Sequence, residues 1–494
     1  MPKTIPIFYS ALLLTGVNLL LRFVGTSFQV YISSVLGAAG VGLLQLTMSV
    51  GSLAMVAGIA GIRTTSMYLT AEELGRGSRK NVTWVLSGCF LYSIICSGCI
   101  AAGLYGFAPR IAEDWIGDIR TIPALQLFAA FLPTTCLCAV MTGYFTAANR
   151  IGTLAAVEVA EQLCSMGVTM VLLTLWGKQD PGKACLCVIL GSAIGAVVTL
   201  GCLIVLRLLE KGHTGPRIPV KIRILDVAVP LALADVLKSG ITTTENLMVP
   251  KRLAQNPFVE NPLAVFGVLS GMVFPILMFP ACILFGLAEL LIPELARCAA
   301  SENRTRISYL VRRSLKVAML YGFVFSGLMF LCAPELCIAL YDNADAGRLL
   351  QLYSLLIPML YCDTITDAMT KGLGQQKICV RYNILTSAMD VVFLYFLLPK
   401  FGMEGYFISF LITHLLNFIL SLRLLLKITA EPLPLYIPVM TTAAALAALW
   451  ASSHMTQPVL RCCAYVLLLI SGLYLLNIVN SEDVHWLHNL IKQK

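Results

Sequence analysis

Two cationic side chains fall near the middle of long apolar stretches, Arg22 within residues 7–35 and Lys238 within residues 224–249. A charge at the centre of a bilayer costs about 3 kcal/mol on insertion scales. It is retained where it faces a wet cavity, meets a partner or binds an anion. Asn18 lies one turn before Arg22 and Gly25 three residues after it, on much the same helical face. A guanidinium fork in such a place suits a phosphate; the other reading is a structural pair with a carboxylate. Lys238 follows Asp235 by three residues on one face. The two either neutralise each other or face a cavity. Glu245 comes two turns later, and Pro250 closes the stretch.

Carboxylates in apolar segments serve ion or proton coupling, or pair structurally. Residues 153–176 carry Glu158, Glu161 and Gln162. Glu158 is near enough to the segment's end to snorkel to the interface. Glu161 is deeper, and is a candidate partner of Arg22 or a cation site. Asp363 and Asp367 share a face of residues 349–369, and Asp390 lies in residues 378–398. Arg63 ends residues 41–62, where it could guard a cytoplasmic mouth, while Arg76, Arg79 and Lys80 set topology. Pro275 and Pro280, with Gly267, Gly271 and Gly286, predict a broken or simply kinked helix in residues 263–292. No Walker A, HExxH, GxSxG or Ser/His/Asp constellation occurs, so no enzyme is expected.

The elements that must position these groups are membrane helices. Of 494 residues, 58% are hydrophobic and 12% charged, against about 25% charged in soluble proteins. The formal charge of +9 reads as loop charge rather than as a nucleic-acid surface. The 17 cysteines read as small apolar packing residues. Cys96/Cys99, Cys136/Cys138 and Cys462/Cys463 lack the partners of a zinc site. Neither metal, disulfide framework nor other cofactor is expected; coupling to the membrane potential, Na+ or H+ stays open.

A span needs about 20 apolar residues. Fourteen segments qualify: 7–35, 41–62, 83–107, 122–147, 153–176, 184–209, 224–249, 263–292, 315–340, 349–369, 378–398, 405–426, 435–452 and 462–479. Residues 7–35 are too long for a signal core and are taken as the first span. Lys and Arg concentrate in the N-terminus, the even-numbered loops and the C-terminus. Both termini are therefore expected on the cytoplasmic side of a multi-pass plasma-membrane protein.

Residues 125–133 read LQLFAAFLP and residues 350–358 read LQLYSLLIP, 225 residues apart. The same offset carries Asn149-Arg150-Ile151 onto Gly374-Gln375-Gln376. Span 4 thus corresponds to span 10, a parallel repeat of six spans. The expected organisation is an all-α chain with two pseudo-symmetric six-helix lobes, residues 1–212 and 213–430. Residues 431–494 add a helix pair and a cytoplasmic tail. The joint is the basic stretch 207–223 with Gly212, Gly215, Pro216 and Pro219. Lobes of this kind rock around a central site.

Several stretches resemble the polysaccharide transporter branch of the multidrug/oligosaccharidyl-lipid/polysaccharide (MOP) flippase superfamily. Within it they resemble the sporulation proteins of spore-forming Firmicutes, relatives of the lipid II flippases. They are LLRFVG at 20–25, VLGAAGVGLLQL at 35–46, TAEELGRG at 70–77, EQL at 161–163, SGMVFPILMFP at 270–280, LIPEL at 291–295 and GLGQQK at 372–377. The resemblance runs over residues 10–430 and rests on the order of these motifs, each weak alone. It implies a cationic cavity between two lobes and flipping of an undecaprenyl-diphosphate-linked saccharide or peptidoglycan precursor by alternating access. Arg22 falls on the family's first-helix arginine. Where relatives often carry a second arginine about two turns later, this chain has Phe28 and Gln29, so the grip would be weaker or shared with Lys238, and Arg63 is a third candidate.

The partners implied are that substrate, the bilayer and cell-wall synthesis proteins, with no nucleic acid and a monomeric chain. A cation-coupled drug or metabolite antiporter of the multidrug branch is the rival reading, with Glu161, Asp363 or Asp367 coupling. A non-transporting scaffold for cell-wall or sporulation assembly is the third. A major-facilitator reading lacks its Gly-x-x-x-Asp-Arg signature in residues 63–81.

Overall fold

The structure is a computed structural model that describes residues 7–75, 79–177, 180–209, 224–429, 436–455 and 457–478. Most of the expected joint, residues 210–223, lies outside the described residues, as does the Asn18 side chain. The described residues form sixteen α-helices: α1 (Ile7–Ile59), α2 (Ile62–Gly75), α3 (Arg79–Arg110), α4 (Ile122–Ala147), α5 (Ile151–Leu172), α6 (Pro181–Leu208), α7 (Ile224–Leu253), α8 (Pro262–Gly267), α9 (Phe274–Met278), α10 (Ala281–Ala300), α11 (Arg304–Tyr341), α12 (Ala344–Ser354), α13 (Ile357–Gly372), α14 (Gln376–Thr429), α15 (Tyr436–Ser453) and α16 (Pro458–Leu475). All-helical spanning is the expected solution in lipid, where each backbone polar group must be satisfied internally.

Ten of the helical stretches are long and apolar enough to cross a membrane, and two bent pairs add one candidate span each. Two of the ten run 55 and 54 residues, roughly 80 Å at 1.5 Å per residue. A hydrocarbon core is only about 30 Å thick. Both are interrupted by a non-helical glycine, Gly37 in α1 and Gly402 in α14, each with positive φ. Counting those two twice brings the candidate spans to the expected fourteen. The protein is thus an all-α, multi-pass membrane protein.

The second span departs from expectation at its end. Ala60 and Gly61 both take positive φ, and the chain then continues as α2 through the stretch read as a loop. Glu73 there is buried and accepts a hydrogen bond from Asn81 Nδ2 at 2.9 Å. Burial with a donor, rather than solvation, explains that acidic side chain.

The chain divides into two units: residues 1–271 with 391–403, and residues 272–390 with 404–494. That division falls elsewhere than the repeat-based joint, because α7 packs on α1 and α2. In the first unit a layer of small residues brings backbones close. Gly42 sits against the Leu263 carbonyl, Gly267 against the Ala38 carbonyl, and Gly143 against the Arg63 carbonyl. Its core joins Ile62, Val85, Leu86, Val140, Phe145 and Leu203. In the second unit Gly322 meets Pro358 and Gly372 meets Ile292 in the same way. Such approaches favour helix association in a bilayer, where packing replaces the hydrophobic drive.

The repeat is visible in backbone detail. Asn149 and Gly374, 225 residues apart, both take positive φ at the end of a helix. Asn149 N–H donates to Thr146 O and Arg150 N–H to Phe145 O; Gly374 N–H donates to Lys371 O and Gln375 N–H to Thr370 O. These are Schellman turns; the same turn also ends α10 at Glu302 and α16 at Asn477, so it is the shared offset of Asn149 and Gly374 that matches the repeat. The preceding helices differ: α4 carries Pro133 without a break, whereas α12 and α13 bend by 57° just before Pro358.

Outside the membrane, Asp118 caps a short turn by accepting from Arg120 N–H at 2.9 Å and pairs with its guanidinium. The Arg120 hydrogen bond, the largest cause, holds the Asp118 carboxyl below its ordinary value. A depressed carboxylate adds stability above its unfolded pKa of about 4, lost as pH falls through the lower folded value. Asp118→Asn is expected to cost about 1 kcal/mol or less at pH 7. The gap from wild type should narrow as pH falls through the lowered folded value, which melting curves across an acid-to-neutral pH series would reveal.

Candidate functional site

Arg22 lies in the first half of α1, fifteen residues from both its start at Ile7 and the break at Gly37, roughly 22 Å from either. Its side chain is exposed. The helix around it is held from α5. Gln162 Nε2 donates to the Leu21 carbonyl at 3.0 Å, and a Cβ on Gly25 would come within 3.1 Å of the same nitrogen. Two of the sequence stretches singled out above, 20–25 and 161–163, therefore touch each other beside the arginine. Gln162→Leu is expected to cost about 1 kcal/mol by deleting this bond, with a matching loss in detergent melting temperature and no change in surface expression.

Gln29 is explained by its surroundings. Its Nε2 donates to the Gly271 carbonyl at 3.3 Å, and Ser33 Oγ donates to the same oxygen at 3.1 Å. Gly271 belongs to a π-helical turn, Val268–Val273, between α8 and α9. Such a turn frees carbonyls from their helical partners. Gln29 thus satisfies a released backbone acceptor inside the first unit.

Arg63, at the start of α2, is exposed. The Arg63 and Glu161 charges both act on the half-buried Glu158. Glu161 Oε2 accepts from Thr199 Oγ1 of α6 at 2.8 Å. Lys238 and Asp235 are both exposed on α7, and no ion pair joins them among the described residues. The neutralising pair that their spacing allowed is not formed. Further along α7, Thr243 Oγ1 donates to the Ser49 carbonyl at 3.1 Å and Asn246 Nδ2 to Ser49 Oγ at 2.9 Å.

In the second unit, Asp363 of α13 accepts twice from Asn417 Nδ2, at 3.1 and 3.3 Å. Asp367 forms an ion pair with Lys371 one turn on. Asp390 is buried and accepts from Ser409 Oγ at 2.5 Å and Thr413 Oγ1 at 3.2 Å. Ser409, Thr413, Asn417 and Ser421 are all buried, at every fourth position of α14. This ladder is a period-four polar stripe in an apolar span, a signal legible in the sequence, although it is absent from the candidates named above.

The broken eighth span takes the form its prolines and glycines predict. α9 starts beside Pro275, Pro280 caps α10, and the axis bends by 61° between them. Three tyrosine hydroxyls occupy the carbonyls of this stretch: Tyr341 bonds Met272 O at 3.4 Å, Tyr361 bonds Leu277 O at 3.1 Å, and Tyr321 bonds Pro280 O at 2.7 Å. Irregular backbone at membrane depth persists only with such partners. Nothing in the spacing of these tyrosines announces the role.

Comparison with known proteins agrees with the resemblance stated from the sequence. Residues 230–396 match the MatE family model. Stage V sporulation protein B of Bacillus subtilis (strain 168) is 22% identical over 414 residues, which cover 80% of this chain and 78% of that protein. Among solved structures, the lipid II flippase MurJ in an inward closed conformation superposes with a TM-score of 0.70 at 12% identity, over 95% of this chain and 100% of that one. An inward-facing multidrug resistance MATE family transporter of the MOP superfamily gives 0.67 at 14% identity, over 85% and 98%. A MOP superfamily transporter from Pyrococcus furiosus gives 0.61 at 16% identity, over 85% and 95%. The fold is shared with these membrane transporters.

Proposed function

We propose that this chain is a flippase that moves an undecaprenyl-diphosphate-linked saccharide or peptidoglycan precursor across the cytoplasmic membrane by alternating access. The observation that carries the reading is Arg22. It is exposed half-way along the first half of α1, and a cation at that depth is stable only against water, a partner or an anion. A guanidinium can take two phosphate oxygens at once. Lys238 and Arg63, both exposed, are the further cations assigned to the diphosphate. Asn18 completes the assigned set. The likenesses to stage V sporulation protein B and to a lipid II flippase support the same substrate class.

On this reading the functional lobes are residues 1–212 and 213–430, with 431–494 as an added helix pair and tail. The Schellman turns at the shared offset support that correspondence. The chain works as a monomer with both termini cytoplasmic. The lipid tail stays in the bilayer while the lobes exchange access.

A cation-coupled antiporter is the second reading, favoured by the Asp363–Asn417 and Glu161–Thr199 pairs and by the likeness to MATE transporters. In it Asp363, Glu161, Asp235 or Asp367 would exchange a proton or Na+. Reconstituted flipping of several lipid-linked precursors, with and without a membrane potential, separates the two. The flippase reading expects precursor movement and no drug efflux. Efflux of cationic drugs without precursor movement would replace it by the antiporter, and a chain active in neither assay yet needed by cells would be a scaffold.

A further inference from the structure

The C-terminal helix pair meets α11 along an antiparallel seam that ends in two thiols. Tyr465 of α16 lies against Gly327 of α11, where a Cβ would come within 2.0 Å of its ring, and its hydroxyl donates to the Phe323 carbonyl at 2.8 Å. Leu331, Ala445, Ala448, Leu469 and Leu473 fill the same interface. One step along the seam, the sulfurs of Cys332 and Cys462 are 2.9 Å apart. One step further, Arg461 forms an ion pair with Glu335.

The depth of this seam follows from its charges. An ion pair of a half-exposed glutamate and an arginine (side-chain exposures 46% and 19%) belongs at the interface rather than in hydrocarbon. Cys332 is one turn from Glu335, and Cys462 is next to Arg461 and five residues into α16. Both thiols are half-buried, and the neighbouring Arg461–Glu335 ion pair places them near the interface, within reach of a small reagent. Among the described residues no other two thiols are in hydrogen-bond contact. Most of the remaining cysteines are buried or half-buried, whereas Cys99, Cys202 and Cys463 are exposed.

We propose that Cys332 and Cys462 form a reversible disulfide that bolts α16, and with it the C-terminal helix pair, to α11. The oxidant is a disulfide-bearing thiol oxidoreductase or small-molecule disulfide. The Cys332 thiolate attacks one oxidant sulfur, and the other leaves as a thiolate that takes up a proton. The Cys462 thiolate then attacks the Cys332 sulfur of the mixed disulfide and releases the second oxidant thiol. Two protein thiols are oxidised, one oxidant disulfide is reduced to two thiols, and two protons pass from protein to oxidant. The bond closes a loop of 130 residues, long enough that cross-linking restricts the unfolded chain strongly. On the flippase reading the bolt fixes the added pair, but its chemistry does not depend on that reading.

The test uses the full-length protein in detergent. Oxidised glutathione is added, free thiols are trapped with N-ethylmaleimide, and peptides are read by mass spectrometry. A Cys332–Cys462 linked peptide is expected to accumulate and to disappear with dithiothreitol. Cys462→Ser should leave Cys332 carrying glutathione. Oxidised wild type should melt a few degrees above the reduced form, a shift absent in Cys462→Ser. Since wild type is compared with itself, a variant that folds poorly leaves the test intact. Linkage of Cys332 to Cys463, or glutathione on both thiols without a link, would overturn the proposal; so would a link that leaves melting unchanged.

Discussion

Arg22→Ala is expected to lose about 10- to 100-fold of export activity in a strain depleted of its own flippase and complemented with this chain. The figure follows from charge-assisted hydrogen bonds, worth about 1.5–3 kcal/mol each, at 1.4 kcal/mol per tenfold. Arg22→Lys keeps the charge but not the two-pronged geometry, and should fall between the two. Full restoration by Arg22→Ala at equal protein level would remove Arg22 from the site. Loss in Arg22→Ala with Gln162→Leu unaffected would separate binding from the local packing that Gln162 supplies.

Gly267→Ala should do more damage to the fold than any surface change. The added Cβ would stand 2.0 Å from the Ala38 carbonyl oxygen and 2.6 Å from the Gly42 nitrogen. Those are backbone atoms and cannot rotate away. The helices must separate, and overpacking of that kind costs about 3 kcal/mol or more. Gly106→Ala is the matched control, since nothing lies within 4 Å of its Cβ position; it should be neutral or slightly stabilising. Melting of tagged protein in detergent would read both, and a Gly267→Ala protein as stable as wild type would show that the α1–α8 approach is looser than described.

Much of the molecule was written into the sequence. The composition demanded membrane helices, because a backbone in lipid has no other partners. Fourteen spans followed from length and apolarity. The repeat at an offset of 225 followed from two short matches, and it reappears as the same turn at Asn149 and Gly374. The break in the eighth span followed from Pro275 and Pro280, since proline removes a donor and blocks the preceding turn.

What spacing could not decide was the identity of partners far apart in the chain. Asp235 and Lys238 sit three residues apart, yet form no pair; one-turn spacing permits contact without requiring it. Glu161 looked to Arg22 for a partner and is given Thr199 by the approach of α6. Gln29 read as a missing cation until tertiary structure set the Gly271 carbonyl beside it. The sequence by itself determined most of the helical segments and the interruption of the eighth span, because those outcomes depend on local chain chemistry and on the solvent. It did not determine the bend before Pro358, since Pro133 at the matching position leaves α4 unbroken. Only the tertiary structure decided which buried donor meets which acceptor, because that depends on how closely two helices approach, and the approach is set by glycines such as Gly25, Gly267 and Gly327 whose neighbours lie far away in sequence.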